Sequence, residues 1–103
     1  MKRPTAADFP ELGSVFAGYL HEDFQELHGT PSAALRAFRE DANPAERRRF
    51  LMESKQFLSR TATLDFREVR DLVARLGCRW TPPSRQALVA LLAEAMDPAP
   101  DPH

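Results

Sequence analysis

Four side chains able to ligate a metal fall within one short stretch: His21, Asp23, Glu26 and His28. Imidazole and carboxylate groups are possible metal ligands, and these four lie within eight residues. Their pattern, H-x-D-x-x-E-x-H, matches no structural zinc spacing and brings no thiolate, so the chain is read as holding no metal and no other cofactor. Cys78 is the one thiol. Arg79 beside it would favour the thiolate, yet no histidine lies near it in sequence, and an isolated cysteine is more commonly a small buried group than a nucleophile. Ser14, Ser32, Ser54, Ser59 and Ser84 stand in no G-x-S-x-G turn, the four glycines build no phosphate-cradling loop, and no H-E-x-x-H pair occurs. With no catalytic constellation, the chain is expected not to be an enzyme.

Nucleic-acid chemistry is the other possibility raised by residue type, because Arg47, Arg48 and Arg49 form a basic run and the last two helical segments are joined by a turn. A recognition helix must present hydrogen-bonding groups to base edges. The segment after Arg85 and Gln86 offers only alanines, leucines, a valine, Glu94 and Met96. Successive helical residues point about 100° apart, so the arginine run is splayed and reads as a solvated face. No direct nucleic-acid partner is expected.

The elements that position these groups follow from composition and punctuation. The 103 residues are 43% apolar and 28% charged, as in an ordinary globular domain. A single cysteine allows no internal disulfide, so packing alone must hold the fold, as is usual in a reducing compartment. The longest apolar run, Ala87 to Ala93, falls far short of the ~20 residues of a membrane span, and Met1 to Gly13 holds no signal-peptide stretch. A soluble, cytoplasmic protein with no membrane partner is expected.

No segment alternates like a strand, and five carry helical punctuation, which predicts an all-α, single-domain bundle of about five helices over residues 9–96. Phe9, Leu12, Val15, Phe16, Tyr19 and Leu20 form one apolar stripe, with Pro10 at a first helical turn. Thr30 before Pro31 is an N-cap, with Ala34, Leu35 and Phe38 facing inward. Asn43 and Glu46 make a capping box for a long helix whose buried face is Phe50, Leu51, Phe57 and Leu58. Asp65 caps the next helix, Leu64 and Val69 form a staple, and Val69, Leu72, Val73 and Leu76 face inward before Gly77 closes it. Trp80 is read as covering the end of the core. The segment from about Ser84 to Met96 is apolar nearly all round, which predicts a central helix surrounded by the others, or alternatively a partner face. Residues 1–8 and the proline-rich 97–103 are expected to be disordered tails.

Charge is unevenly spread. The net charge is −1, but Pro4 to Asn43 carries seven acids against Arg36 and Arg39, whereas Pro44 to Met96 carries ten bases against six acids. Either the halves pair within the fold, the reading favoured from sequence, or the acidic half meets a cationic partner.

Phe9-Pro10-Glu11-Leu12 leads into Tyr19-Leu20-His21-Glu22-Asp23-Phe24. Here the chain resembles the immunity proteins of contact-dependent growth inhibition systems. Members are small helical proteins that open with a proline-leucine helix running into Y-x-H-x-D and an aromatic residue, often tryptophan. In this chain the aromatic is Phe24, which keeps a ring for the core and removes an indole hydrogen bond. Tyr19 to Phe24 is the specific part. A looser likeness over Ala33 to Phe38, Glu46 to Leu58 and Leu72 to Gly77 extends it across about Phe9 to Met96.

The resemblance implies a cytoplasmic protein that protects its producer by binding the toxin domain at the C-terminus of a large exported effector. Such toxins are frequently nucleases with basic clefts, which an acidic surface can occupy while steering association. The expected toxin-binding residues are Glu11, Glu22, Asp23, Glu26, Glu40 and Asp41. Pro10, Tyr19, His21, Asp23 and Phe24 carry the family motif and are read as architectural, with Asp23 accepting the His21 N–H in a local turn. Asp23 stands in both sets. A helical protein-binding adaptor and, third, a weak DNA-binding regulator are the rival functions.

Overall fold

The computed structural model describes residues 4–96, and no strand occurs among them. Six α-helices follow one another: α1 (Pro10–Tyr19), α2 (Phe24–His28), α3 (Pro31–Asp41), α4 (Pro44–Thr61), α5 (Phe66–Arg75) and α6 (Arg85–Met96). The helix additional to the five expected is α2, a short element inside the polar stretch between Leu20 and Gly29.

Local chemistry sets the helix ends. Thr30 Oγ1 accepts the Ala33 N–H at 3.1 Å, and Asn43 Oδ1 accepts the Glu46 N–H at 2.8 Å while Glu46 Oε1 accepts the Asn43 N–H at 3.0 Å. Asp65 Oδ1 takes the Arg67 N–H at 2.9 Å, and Ser84 Oγ takes the Ala87 N–H at 3.0 Å. Gly77, at φ +95°, closes α5: its N–H bonds the Ala74 carbonyl and that of Cys78 the Val73 carbonyl. A Cβ on Gly77 would also meet the Ala17 Cβ at 3.1 Å, so this turn is pressed against α1.

One core joins all six helices. Phe9, Leu12 and Phe16 from the first segment meet Phe50 and Phe57 of α4, Leu35 and Phe38 of α3, Val69 and Val73 of α5, and Leu88 and Leu92 of α6. Phe9 and Phe57 pack edge to face at 5.2 Å between centroids, and Phe38 and Phe50 lie 5.0 Å apart. Along α4 the buried stripe is Phe50, Ser54, Phe57 and Thr61, while Leu51 and Leu58 are only half-buried. Thr61 Oγ1 donates to the Phe57 carbonyl at 2.7 Å; the hydroxyl of fully buried Ser54 has no partner among the described residues.

Two sequence expectations change. The C-terminal helix is not surrounded: α6 packs on α3 and α4 through Leu88, Leu91, Leu92 and Ala95, leaving Val89, Ala90 and Ala93 exposed. Alanines on its outer face are small enough to face water at little cost, so an apolar sequence all round does not force burial all round. In the expected N-terminal tail, Ala6–Asp8 form a 3-10 turn. Asp8 Oδ2 accepts the Thr5 N–H at 2.9 Å and pairs with Arg60 at 3.4 Å, and Ala6 packs against the core. Residues 1–3 and 97–103, the remainder of the two expected tails, lie outside the described residues.

Candidate functional site

The motif from Tyr19 to Phe24 forms the corner between α1 and α2. Helix α1 closes with the Leu20 N–H on the Phe16 carbonyl at 2.8 Å, and the Leu20 carbonyl accepts the Arg79 N–H at 2.7 Å, which ties the corner to the segment after α5. The His21 carbonyl then accepts the Phe24 N–H at 3.0 Å, and Phe24 is buried. Gly29, at φ +85°, ends α2 and admits the turn into α3.

Tyr19 is the hub of this corner. Its ring lies 5.7 Å from Phe38 of α3 and 6.3 Å from His28 of α2, and its hydroxyl donates to Asp41 Oδ2 at 2.9 Å. Burial first, then the hydrogen bond to Asp41 and its charge, hold the phenol above its ordinary pKa. The expected bond from His21 to the Asp23 carboxylate is not made. Instead His21 Nδ1 accepts the Asp23 backbone N–H at 3.0 Å. In so tight a turn the amide two residues on lies within the ring's reach, and the backbone donor takes the place of the side chain.

The six expected acids separate into two kinds. Glu11 pairs with Arg49 at 3.3 Å, and Asp41 holds Tyr19. Both line a shallow cleft of about 110 Å³ with Ser14, Tyr19 and Glu46. Glu22, Asp23, Glu26 and Glu40 are exposed, and among the described residues none of their carboxylates makes a hydrogen bond or ion pair. Glu22, Asp23 and Glu26, in the turn before α2 and on it, thus carry charges with no partner among the described residues, as does Glu40 on α3.

The basic half does not cancel it. Arg49 and Arg60 do pair with Glu11 and Asp8 of the acidic half. Several other guanidinium groups serve carbonyls and rings: Arg47 donates to the Arg39 carbonyl at 3.0 Å, Arg39 of the acidic half donates to the Glu94 carbonyl at 3.2 Å, and Arg70 stands 5.4 Å from the Phe66 ring centroid. Arg85, at the start of α6, donates to the Thr61 carbonyl at 3.1 Å and to that of Leu64, closing the end of α4.

Two features escaped sequence reasoning. Glu53 of α4 accepts the backbone N–H groups of Glu11 and Leu12 at 2.9 and 3.1 Å and so caps α1, which no local pattern announces. Leu27 is 64% exposed beside these acids; the only hint in sequence is a lone leucine among Glu22, Asp23, Gln25 and Glu26.

Cys78 is the small buried group expected of an isolated cysteine, and Arg79 does not activate it. It is buried, its Sγ donates to the Trp80 carbonyl at 3.3 Å, and burial pushes the thiol up to about 11. Among the described residues no group of three or more His, Cys, Asp or Glu is arranged to hold a metal ion, and no helix is long and apolar enough to cross a membrane.

A family model described as CdiI immunity protein matches residues 8–95. No curated protein and no solved structure matches the chain.

Proposed function

The chain belongs to the CdiI immunity protein family, and from that premise we propose that it binds and neutralises a cognate toxin domain in the cytoplasm of its producer through the acidic surface of α2 and its flanks. The observation that carries this reading is the set of uncommitted carboxylates on Glu22, Asp23, Glu26 and Glu40, whereas Arg49 and Arg60 pair with other acids and Arg85 serves backbone carbonyls. Carboxylates with no internal partner are free to form charge-assisted bonds with lysine and arginine, and their summed field raises the encounter rate with a cationic surface. A toxin with a basic substrate cleft, as in a nuclease, is the partner of matching charge. Inhibition then needs no reaction: occupying or shielding the cleft keeps the substrate out.

An adaptor function through α6 is less favoured, because Leu88, Leu91 and Leu92 are buried and the outward face is Val89, Ala90 and Ala93. The test is charge reversal. Glu22→Lys combined with Glu26→Lys should slow association with the toxin domain encoded beside the gene by about 10-fold at low salt, a difference that fades as salt screens exposed charges. Cells producing this double variant should also lose protection. Affinity equal to that of the parent protein at every salt concentration would exclude the α2 surface.

A further inference from the structure

Helix α2 exposes a large apolar side chain, Leu27, close after Glu22, Asp23 and Glu26 in sequence. The backbone N–H of Leu27 bonds the Asp23 carbonyl at 3.1 Å, so these two residues stand one turn apart on the same side of the helix, with Glu26 adjacent in sequence. Phe24, three residues earlier, is buried in the core, whereas Leu27 is 64% exposed. A single exposed leucine is ordinary by itself. Its setting is not: the carboxylates of Glu22, Asp23 and Glu26 have no partner among the described residues. An exposed apolar side chain beside uncommitted charges suits an interface whose affinity concentrates on the apolar contact while the charges set encounter and partner choice.

Resting on the toxin-binding reading above, we infer that Leu27 is the apolar anchor of that interface, seated in a recess of a cationic toxin surface while the neighbouring carboxylates of Asp23 and Glu26 pair with its lysines and arginines. Charge selects this occupant. A second copy of the chain docked through the same face would set carboxylate against carboxylate, as a two-fold interface brings identical patches together.

Leu27→Ala and Leu27→Asp are the deciding variants, and the exposure of the side chain leaves their melting temperatures close to that of the parent protein. Met52→Asp serves as control: Met52 is 56% exposed but lies on α4 among basic residues. With the toxin domain encoded beside the gene as ligand, titration calorimetry should show Leu27→Ala weakened by about 30-fold or more, Leu27→Asp weakened further, and Met52→Asp unchanged. Parent-like affinity of both Leu27 variants would overturn the anchor while leaving toxin binding intact. The anchor is equally overturned if Leu27→Asp only converts a dimer of this chain to a monomer, or if Met52→Asp is the variant that fails. A parent protein that does not bind the toxin domain at all would overturn the anchor together with the reading on which it rests.

Discussion

The carboxylate of Glu53, midway along α4, accepts the backbone N–H of Leu12 at 3.1 Å across forty-one positions of sequence. The same group accepts the Glu11 N–H at 2.9 and 3.1 Å. Pro10 has no N–H, and the Gly13 N–H already bonds the Phe9 carbonyl at 3.0 Å, so Glu11 and Leu12 hold the two donors of the first turn that α1 itself leaves unmatched. Phe9, at the N-cap position, has a buried ring and no acceptor to offer. A remote carboxylate therefore fills the place of a capping residue, and its charge complements the positive end of the helix.

Removing that carboxylate should loosen the start of α1. Glu53→Ala is expected to cost about 1–3 kcal/mol, with Glu53→Gln intermediate because it keeps an acceptor without the charge. In a domain of this size each kcal/mol lowers the melting temperature by about 4–8 °C. A Glu53→Ala protein that melts with the parent would show the cap to be energetically idle.

At the α1–α2 corner the stabilising contact belongs to Tyr19 and Asp41 rather than to His21 and the Asp23 carboxylate. Tyr19→Phe and Asp41→Ala should each lower stability by about 1 kcal/mol, a charge-assisted bond discounted for its exposure to solvent. Asp23→Ala, whose carboxylate has no partner among the described residues, should shift stability by less than about 0.5 kcal/mol and act on toxin binding instead. Thermal unfolding of the three variants side by side decides the matter; a large loss confined to Asp23→Ala would reverse the assignment.

Alkaline pH should weaken the fold through Cys78. The thiol ionises near its ordinary 9.0 in the unfolded chain but only at about 11 when folded, so the unfolded state loses its proton first. The stabilising contribution of the buried thiol is complete below pH 9.0 and declines as pH rises towards about 11. Cys78→Ala should flatten the stability curve over that window, and the folded parent should react slowly with a thiol-specific disulfide reagent at pH 8. Rapid labelling of the native protein would contradict the burial of Sγ.

What acts over three or four residues is legible in the amino-acid order alone. Thr30, Asn43 and Asp65 cap helices, and Gly77 closes one, because each works through backbone groups within its own turn. The inward stripes of α3 and α5 were legible for the same reason: Ala34, Leu35 and Phe38, and Val69, Leu72 and Val73, repeat with the helical period. The family motif was readable as a motif, though not the partners of its side chains.

Which acids are engaged and which are free is set by the packing of the helices. Glu11 meets Arg49, Asp41 meets Tyr19 and Glu53 meets the start of α1, while Glu22, Asp23, Glu26 and Glu40 meet nothing among the described residues. It also decided that α6 buries its leucines yet leaves Val89 in water, and that Phe24 turns inward while Leu27 does not. The physical reason is one of range. Helical period tells which residues share a face, but not the direction in which that face is turned once the helices pack. The pairing of a charge depends on distances of a few ångströms between segments tens of residues apart.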